Sequence, residues 1–332
     1  MKVFSGEVQF TQKDLESLEK LRDKRVLITG ASGVIGLALR NVFEEWVQNF
    51  DGSLELALAS KNSEKKIVSK GIIQLFADLR DEDSLSEIGN FDCIIHGATY
   101  AQPAKFEKET SELFDLNVAA TQRLKEIAEE SFLFLSTSEI YSGQDFPDEE
   151  APVELQTSHP RAQYVFSKLA GEAISLSGQQ TTNNVARIAL AYGPGFKKED
   201  SRVMYDFFRK AKTRGVIETH GSLNFVRTYA FSIDVALDLI NILARGTEQI
   251  YNVGGTSKVS IAGLAEAVGR VCQVPVITTG AELATLSSAP KTVELNLSRI
   301  EKLRGIRNYV DLDSGLREIN LWLDRESVFS ND

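Results

Sequence analysis

Tyr164 and Lys168 stand four residues apart in Tyr-Val-Phe-Ser-Lys, the spacing that puts two side chains on one face of a helix. A phenol has a reference pKa near ~10, and a neighbouring positive charge favours the phenolate. Such a pair could act as a base on a sugar or alcohol hydroxyl at neutral pH. By itself the spacing is better read as a solvated helix face. A second group gives it weight. In Phe134-Leu-Ser-Thr-Ser-Glu-Ile-Tyr141 an apolar run ends in small hydroxyls and a carboxylate. Thr137, Ser138 and Glu139 would lie beyond the carboxyl end of a strand, where open α/β sheets bind ligands. The competing reading is local turn hydrogen bonding for the hydroxyls and a solvated loop for the acid.

A third group could seat an anion. Leu27-Ile-Thr-Gly-Ala-Ser-Gly-Val-Ile-Gly36 places Gly30, Gly33 and Gly36 three apart, after an apolar β-branched run and before a helical period. A turn from strand to helix needs glycine for a tight backbone, for close approach of a ligand and for close packing. The helix beyond offers unpaired N–H groups to a pyrophosphate, with Ser32, Val34 and Ile35 in the same turn. The spacing is one residue longer than the common dinucleotide fingerprint. The second strand ends Leu58-Ala-Ser-Lys-Asn62, with no acid for the adenosine ribose. Ser60 and Lys61 could instead accept a 2′-phosphate, so NAD and NADP both stay open. Asp78 and Leu79 end the next strand, where adenine could sit. Capping of a helix near Asp81 is the other use for that acid.

These groups need a frame. A leading helix is expected at 11–22, with Thr11 as its N-cap and Leu15, Leu18 and Leu21 on one face. Strands are expected at 26–29, 54–59, 72–76, 91–96, 132–136 and 185–190, and helices at 34–47, 81–88, 108–130 and 164–177. The strands are apolar throughout, as when helices cover both faces of a sheet. This order predicts an α/β fold, a doubly wound parallel sheet. Beyond Tyr192-Gly-Pro-Gly195 the pattern loosens into helices at 203–214, 234–244 and 261–272 with short strands such as 249–253. The expected division is an N-terminal helical extension at 1–24, a dinucleotide domain at 25–192 and a smaller lobe at 193–332, with 232–246 a candidate to pack back on the domain.

The chain has 332 residues and a formal charge of −10, with no Lys/Arg run, which argues against non-specific nucleic-acid binding. Two distant cysteines, Cys93 and Cys272, form neither a disulfide framework nor a zinc spacing. The three histidines show no metal spacing, and no segment has the length of a membrane span. A cytoplasmic protein without metal is expected.

With these groups in place, the sequence resembles the extended short-chain dehydrogenase/reductase family, in its nucleotide-sugar epimerase/dehydratase branch. The resemblance runs from about Lys24 to Trp322. It rests on Thr29-Gly-Ala-Ser-Gly-Val-Ile-Gly36, Ala77-Asp-Leu-Arg-Asp81, His96-Gly-Ala98, Asn117-Val118, Ser136-Thr-Ser-Glu-Ile-Tyr141, Pro160-Arg-Ala-Gln-Tyr-Val-Phe-Ser-Lys168, Arg187-Ile-Ala-Leu-Ala-Tyr-Gly-Pro-Gly195, Arg227-Thr-Tyr-Ala-Phe-Ser-Ile-Asp234 and Tyr251-Asn-Val-Gly-Gly255. It implies a Rossmann-type sheet with a smaller C-terminal substrate-binding lobe. NAD would lie on the glycine turn, near Asp78, Leu79, Gly97 and Ala98, with Lys168 on its nicotinamide ribose. Tyr164 and Lys168 would be the catalytic pair, with Thr137, Ser138 and Glu139 beside them. Asn117, Arg187 and Arg227 would face a nucleotide-diphosphate sugar. A transient 4-keto sugar would then lead to dehydration, decarboxylation or epimerisation. Homodimers through helices 108–130 and 164–177 are also implied. An NADPH-consuming keto-sugar reductase and a non-catalytic dinucleotide-binding regulator remain alternatives.

Overall fold

The computed structural model describes residues 3–61, 66–100, 110–141, 144–153, 156–178, 181–220, 225–279 and 292–329. Strands are numbered in chain order. The central sheet holds β1 (Arg25–Thr29), β2 (Glu55–Ser60), β3 (Lys66–Ser69), β4 (Ile72–Phe76), β5 (Phe91–His96), β6 (Ala128–Thr137), β7 (Thr182–Ile188) and β11 (Ile250–Val253). Their spatial order is β11-β7-β6-β5-β1-β2-β4-β3. All pair in parallel except β3, an edge strand antiparallel to β4 that the sequence reading did not contain. The order reverses at β1, with β2 on one side and β5 on the other. The carboxyl ends of β1, β5 and β6 therefore open onto one crevice, as a doubly wound sheet requires.

The inner strands β1, β2, β5 and the second half of β6 are buried on both faces, as their unbroken apolar runs predict, whereas β4, next to the edge strand, leaves Phe76 exposed. Helices Val34–Asn49 and Ser232–Arg245 pack together on one face. Helix Gln12–Lys20 lies against Ser232–Arg245, and its N-cap Thr11 forms a capping box with Asp14.

Two expectations are corrected. The helix expected at 108–130 begins outside the described residues. It runs as Thr110–Phe114, a π-helical turn Asp115–Ala119 and Ala120–Glu126, and the chain then turns directly into β6 at Ala128. Ala-Glu-Glu-Ser reads as helix, but pairing of Ala128 and Ser131 with Phe91 and Cys93 of β5 overrides that propensity. The strand expected at 249–253 is β11, and it extends the central sheet beside β7. The central sheet thus draws on chain well beyond residue 192.

The rest of the C-terminal half builds a small sheet from β8 (Ala191–Tyr192), β10 (Val226–Phe231), β12 (Ser257–Ser260) and β14 (Thr292–Val293), with a parallel pair β9 (Ile217–His220) and β13 (Val276–Thr279). Helix Ile261–Cys272 packs on Val203–Arg214 and on Leu312–Glu326.

Candidate active site

A cavity of about 1300 Å³ runs from the carboxyl ends of β1, β2 and β5 to the small sheet. Thr137, Ser138, Glu139, Tyr164 and Lys168 line its middle. Helix Ala162–Leu176 carries Tyr164 and Lys168 on its inner face, and β6 delivers Thr137 opposite them. Thr137 hydrogen-bonds the Tyr164 hydroxyl and accepts the Glu139 N–H at 3.2 Å. Lys168 donates to the Leu135 carbonyl at 2.7 Å and lies 4.7 Å from the centre of the Phe134 ring.

Burial dominates the electrostatics here. It pushes Tyr164 up to about 12, with Glu139 adding to the rise and Thr137, Arg202 and Arg161 opposing it. It pushes Lys168 down to about 7, against the pull of Glu172. The expected lowering of the phenol is therefore not produced by the protein's own charges. For Lys168 the folded chain releases its proton near pH 7 and the unfolded chain near 10.5. Between those values the unfolded state holds more protons, so stability rises with pH. Denaturant unfolding of the ligand-free protein should show that rise between about pH 7 and about pH 9, and Lys168→Met should flatten it.

Glu139 forms an ion pair with Arg161. Arg161 immediately precedes the helix of Tyr164 and lines the cavity, as does His159, whose Nδ1 accepts the Arg161 N–H at 3.2 Å. Sequence reasoning quoted Arg161 but gave it no task. Its position three before Tyr164, one helical turn, was the available signal. Arg202 and Arg227 also line this half. Arg202 is held by Asp200 at 2.7 Å. Arg227 donates to the Val226 carbonyl at 2.8 Å and lies over Phe225, and burial lowers its pKa.

At the other end lie Gly30, Ser32, Gly33, Val34, Ile35 and Gly36. A Cβ on Gly30, which has φ +72°, would come within 2.7 Å of the Gly97 carbonyl; one on Gly36 would come within 2.5 Å of the Gly30 oxygen. Gly33 caps helix Val34–Asn49 with no side-chain acceptor and no acid follows in the first turn, so its N–H groups are available to an anion. The cradle fits a dinucleotide pyrophosphate. Gly97 and Ala98 close it, and both N–H groups donate to Thr29 Oγ1 at 3.2 Å. His96 Nε2 faces the Leu116 carbonyl at 3.0 Å, so it carries the proton. His96 Nδ1 then accepts from Thr29 Oγ1 at 2.7 Å. Burial pushes His96 down to about 3, which keeps this neutral arrangement intact.

Ser60, Lys61, Asp78 and Leu79 line the far end. The Asp78 carboxylate is occupied by Arg80, at 2.9 and 2.7 Å, and that pairing holds it down to about 2. Capping of the following helix falls to Asp81, not Asp78.

Asn117 and Arg187 are not among the cavity-lining residues. Asn117 is fully buried in the π-helical turn and donates to Ser167 Oγ at 3.0 Å. Arg187, expected to face the sugar nucleotide, is 5% exposed and paired with Glu172, itself 4% exposed, through Nη2 at 2.8 Å and Nε at 3.1 Å. Its Nη1 donates to Tyr141 and to the Glu149 carbonyl. Glu149, which composition assigns to a solvated acidic loop, is buried and accepts the Asn252 N–H at 2.8 Å. These groups clamp the end of β6 from behind. Arg187→Met should cost about 3–5 kcal/mol in urea unfolding by stranding the buried Glu172. Adding Glu172→Gln should return most of it.

The family model of the NAD dependent epimerase/dehydratase family matches residues 26–254. The chain belongs to that family. Among curated relatives, the chain is 24% identical over 333 residues to UDP-glucuronic acid decarboxylase 1 of Xenopus tropicalis, covering 96% of this chain and 76% of that one. It is 26% identical over 262 residues to dTDP-D-glucose 4,6-dehydratase of Mus musculus, covering 73% and 71%. Among solved structures, the epimerase Mth375 of Methanothermobacter thermautotrophicus superposes with a TM-score of 0.80 at 17% identity, covering 95% and 96%. MoeE5 in complex with UDP-glucose and NAD superposes with a TM-score of 0.73 at 21% identity, covering 91% and 99%. The chain therefore has the Rossmann-type sheet that the resemblance implies. Among the described residues no helix is long and apolar enough to cross a membrane.

Proposed function

We propose that this protein uses NAD to oxidise, transform and re-reduce a nucleotide-diphosphate sugar, and that the sugar carries a carboxylate at C6. The observation that carries the reading is the meeting of Thr137, Tyr164 and Lys168 in one cavity with the glycine turn. Bound NAD supplies the acceptor, and later the donor, of a hydride. Thr137 and Tyr164 hold the C4 hydroxyl, and Tyr164 takes its proton. Lys168, on the same helix face, would hold the nicotinamide ribose. Arg227 clamps the diphosphate with a planar multi-donor fork.

The charges around Tyr164 favour one outcome. Eliminating water needs a base for the C5 proton and an acid for the leaving hydroxyl. Glu139 is the carboxylate whose charge acts on Tyr164, and Arg161 holds it. Loss of carbon dioxide needs no acid on the leaving group. The C5–C6 bond breaks, its electron pair moves into the C4 carbonyl as an enolate, and a proton then adds at C5. A cation must hold the carboxylate beforehand, and Arg161 is in place for that. The decarboxylase relative supports this branch.

Mass spectrometry of products from UDP-glucuronic acid, UDP-glucose and dTDP-glucose tests it. Loss of carbon dioxide from the uronate is expected. Loss of water from a hexose would replace this branch by dehydration, and no conversion or binding of any sugar nucleotide would overturn the enzymatic reading. Ser60 and Lys61 favour a second reading, a reductase consuming NADPH. NADP rather than NAD released on denaturing the purified protein would support it. We further propose a homodimer through helices Thr110–Phe114, Ala120–Glu126 and Ala162–Leu176, with Phe114 exposed for the contact, checked by sedimentation. Two free cysteines, neither exposed, suit the cytoplasm.

A further inference from the structure

Residues 3–10 lie ahead of the family match, which begins at 26. They are tied down at every turn. The Val3 carbonyl accepts from Arg325 at 2.6 Å, and Ser5 N–H donates to Glu318 at 2.9 Å; both partners lie on helix Leu312–Glu326. The Val8 N–H donates to Glu45 at 3.1 Å, and Glu45 is buried on helix Val34–Asn49. The segment therefore bridges a helix of the smaller lobe and a helix of the dinucleotide domain. Its chain continues into helix Gln12–Lys20, where buried Asp14 accepts from Asn241 at 2.6 Å and pairs with Arg307 at 3.3 Å.

Between those anchors Phe4 is 2% exposed and meets Phe231 edge-on, with ring centres 6.0 Å apart. Phe231 in turn meets Tyr192 at 5.6 Å, and Tyr192 meets Tyr229 at 5.9 Å. Tyr192 and Tyr229 line the cavity. Phe231 and Tyr229 sit on β10, the strand that also carries Arg227. Helix Leu312–Glu326 closes on the same rings through Gly315, where a Cβ would lie 2.3 Å from the Tyr192 hydroxyl. Aromatic rings packed this closely cannot slide independently, so a displacement at Phe4 reaches the cavity wall.

We propose that residues 3–8 are a strap across the back of the two lobes, and that Phe4, through Phe231 and Tyr192, positions the β8–β10 wall that carries Arg227. That this wall faces the nucleotide diphosphate rests on the functional reading above; the mechanical coupling does not. Phe4 acts on the β8–β10 side of the cavity, through Phe231 and Tyr192, while the helix behind the glycine cradle is held separately, by the Val8 bond to Glu45.

Hydrogen exchange and calorimetry on the full chain with Phe4→Ala and Phe4→Leu test this. Phe4→Ala should speed exchange of the Arg227–Phe231 amides by about tenfold while the amides of β1 and β5 keep their protection. Its affinity for uridine diphosphate should weaken by about tenfold and its affinity for NAD stay within about twofold. Phe4→Leu, which keeps an apolar filling, should recover most of both effects. Exchange that is unchanged in β10, or raised equally in β1 and β5, would overturn the strap, as would equal uridine diphosphate affinity in wild type and Phe4→Ala. Wild-type protein that binds no uridine diphosphate would count against the nucleotide reading alone, and the exchange measurement would still decide the strap.

Discussion

Tyr164→Phe should lower kcat by about 100- to 10,000-fold, the usual worth of a positioned acid–base group. The substitution removes one oxygen from a buried ring and leaves its volume in place, so the helix and the cavity wall should persist. Thr137 loses its bond to the phenol but still accepts the Glu139 N–H. Dinucleotide binding depends on the glycine cradle and should be unchanged. The measurement is absorbance of reduced nicotinamide during a single turnover: the wild type should form it, the variant should not. A variant that turns over at the wild-type rate would remove Tyr164 from the mechanism. Because burial holds the phenol near 12 in the free protein, the ionisation must be driven within the ternary complex. The pH dependence of kcat should accordingly titrate at lower pH than the phenol of the free protein.

Arg161→Leu should weaken binding of a hexuronate nucleotide by about 100-fold or more, the cost of stranding a partly desolvated carboxylate. Binding of the matching neutral hexose nucleotide should change little. Arg161→Lys should restore only part, because a lysine offers a point charge where the guanidinium offers two aligned donors. Glu139→Gln provides the counterpart. It releases Arg161 from its ion pair, so affinity for the hexuronate should rise. If turnover then persists, Glu139 is not the C5 base and dehydration is excluded. If turnover is abolished on a hexose that the wild type dehydrates, Glu139 is that base and the decarboxylase branch falls. A 4-epimerase would tolerate the same change.

Much of this molecule is legible in one dimension. The glycine turn and Tyr164/Lys168 depend on neighbours within a helical turn or a strand-to-helix junction, and such local geometry is written in spacing. The doubly wound order follows likewise, because apolar strands alternating with helical periods admit few other arrangements. Strand β3 is not legible in the sequence because its stretch has little apolar alternation and, among the described residues, pairs with β4 alone at the sheet edge. Glu149 lies in an acid-rich stretch whose composition suggests a solvated loop, but Asn252 and Arg299, more than a hundred residues later, are brought against it.

Arg187 marks the boundary. A charged residue inside Val185-Ala-Arg-Ile188 must either reach a ligand or find a buried counter-charge, and composition cannot choose. Glu172, projecting from the preceding helix, chooses. Asn117 is similar: a π-helical turn, which no local propensity announces, turns it towards Ser167. The sequence alone determined the doubly wound order of β1, β2 and β4 to β7, the glycine turn and the residue types that could do chemistry. Tertiary structure decided which charges are spent on each other, namely Arg187 on Glu172 and Arg80 on Asp78, and which, like the half-exposed Arg161 beside Glu139, face the cavity where a ligand can compete for them. The reason is physical: a buried charge is stabilised by whatever partner lies within a few ångströms, and that distance is set by packing between segments remote in the chain.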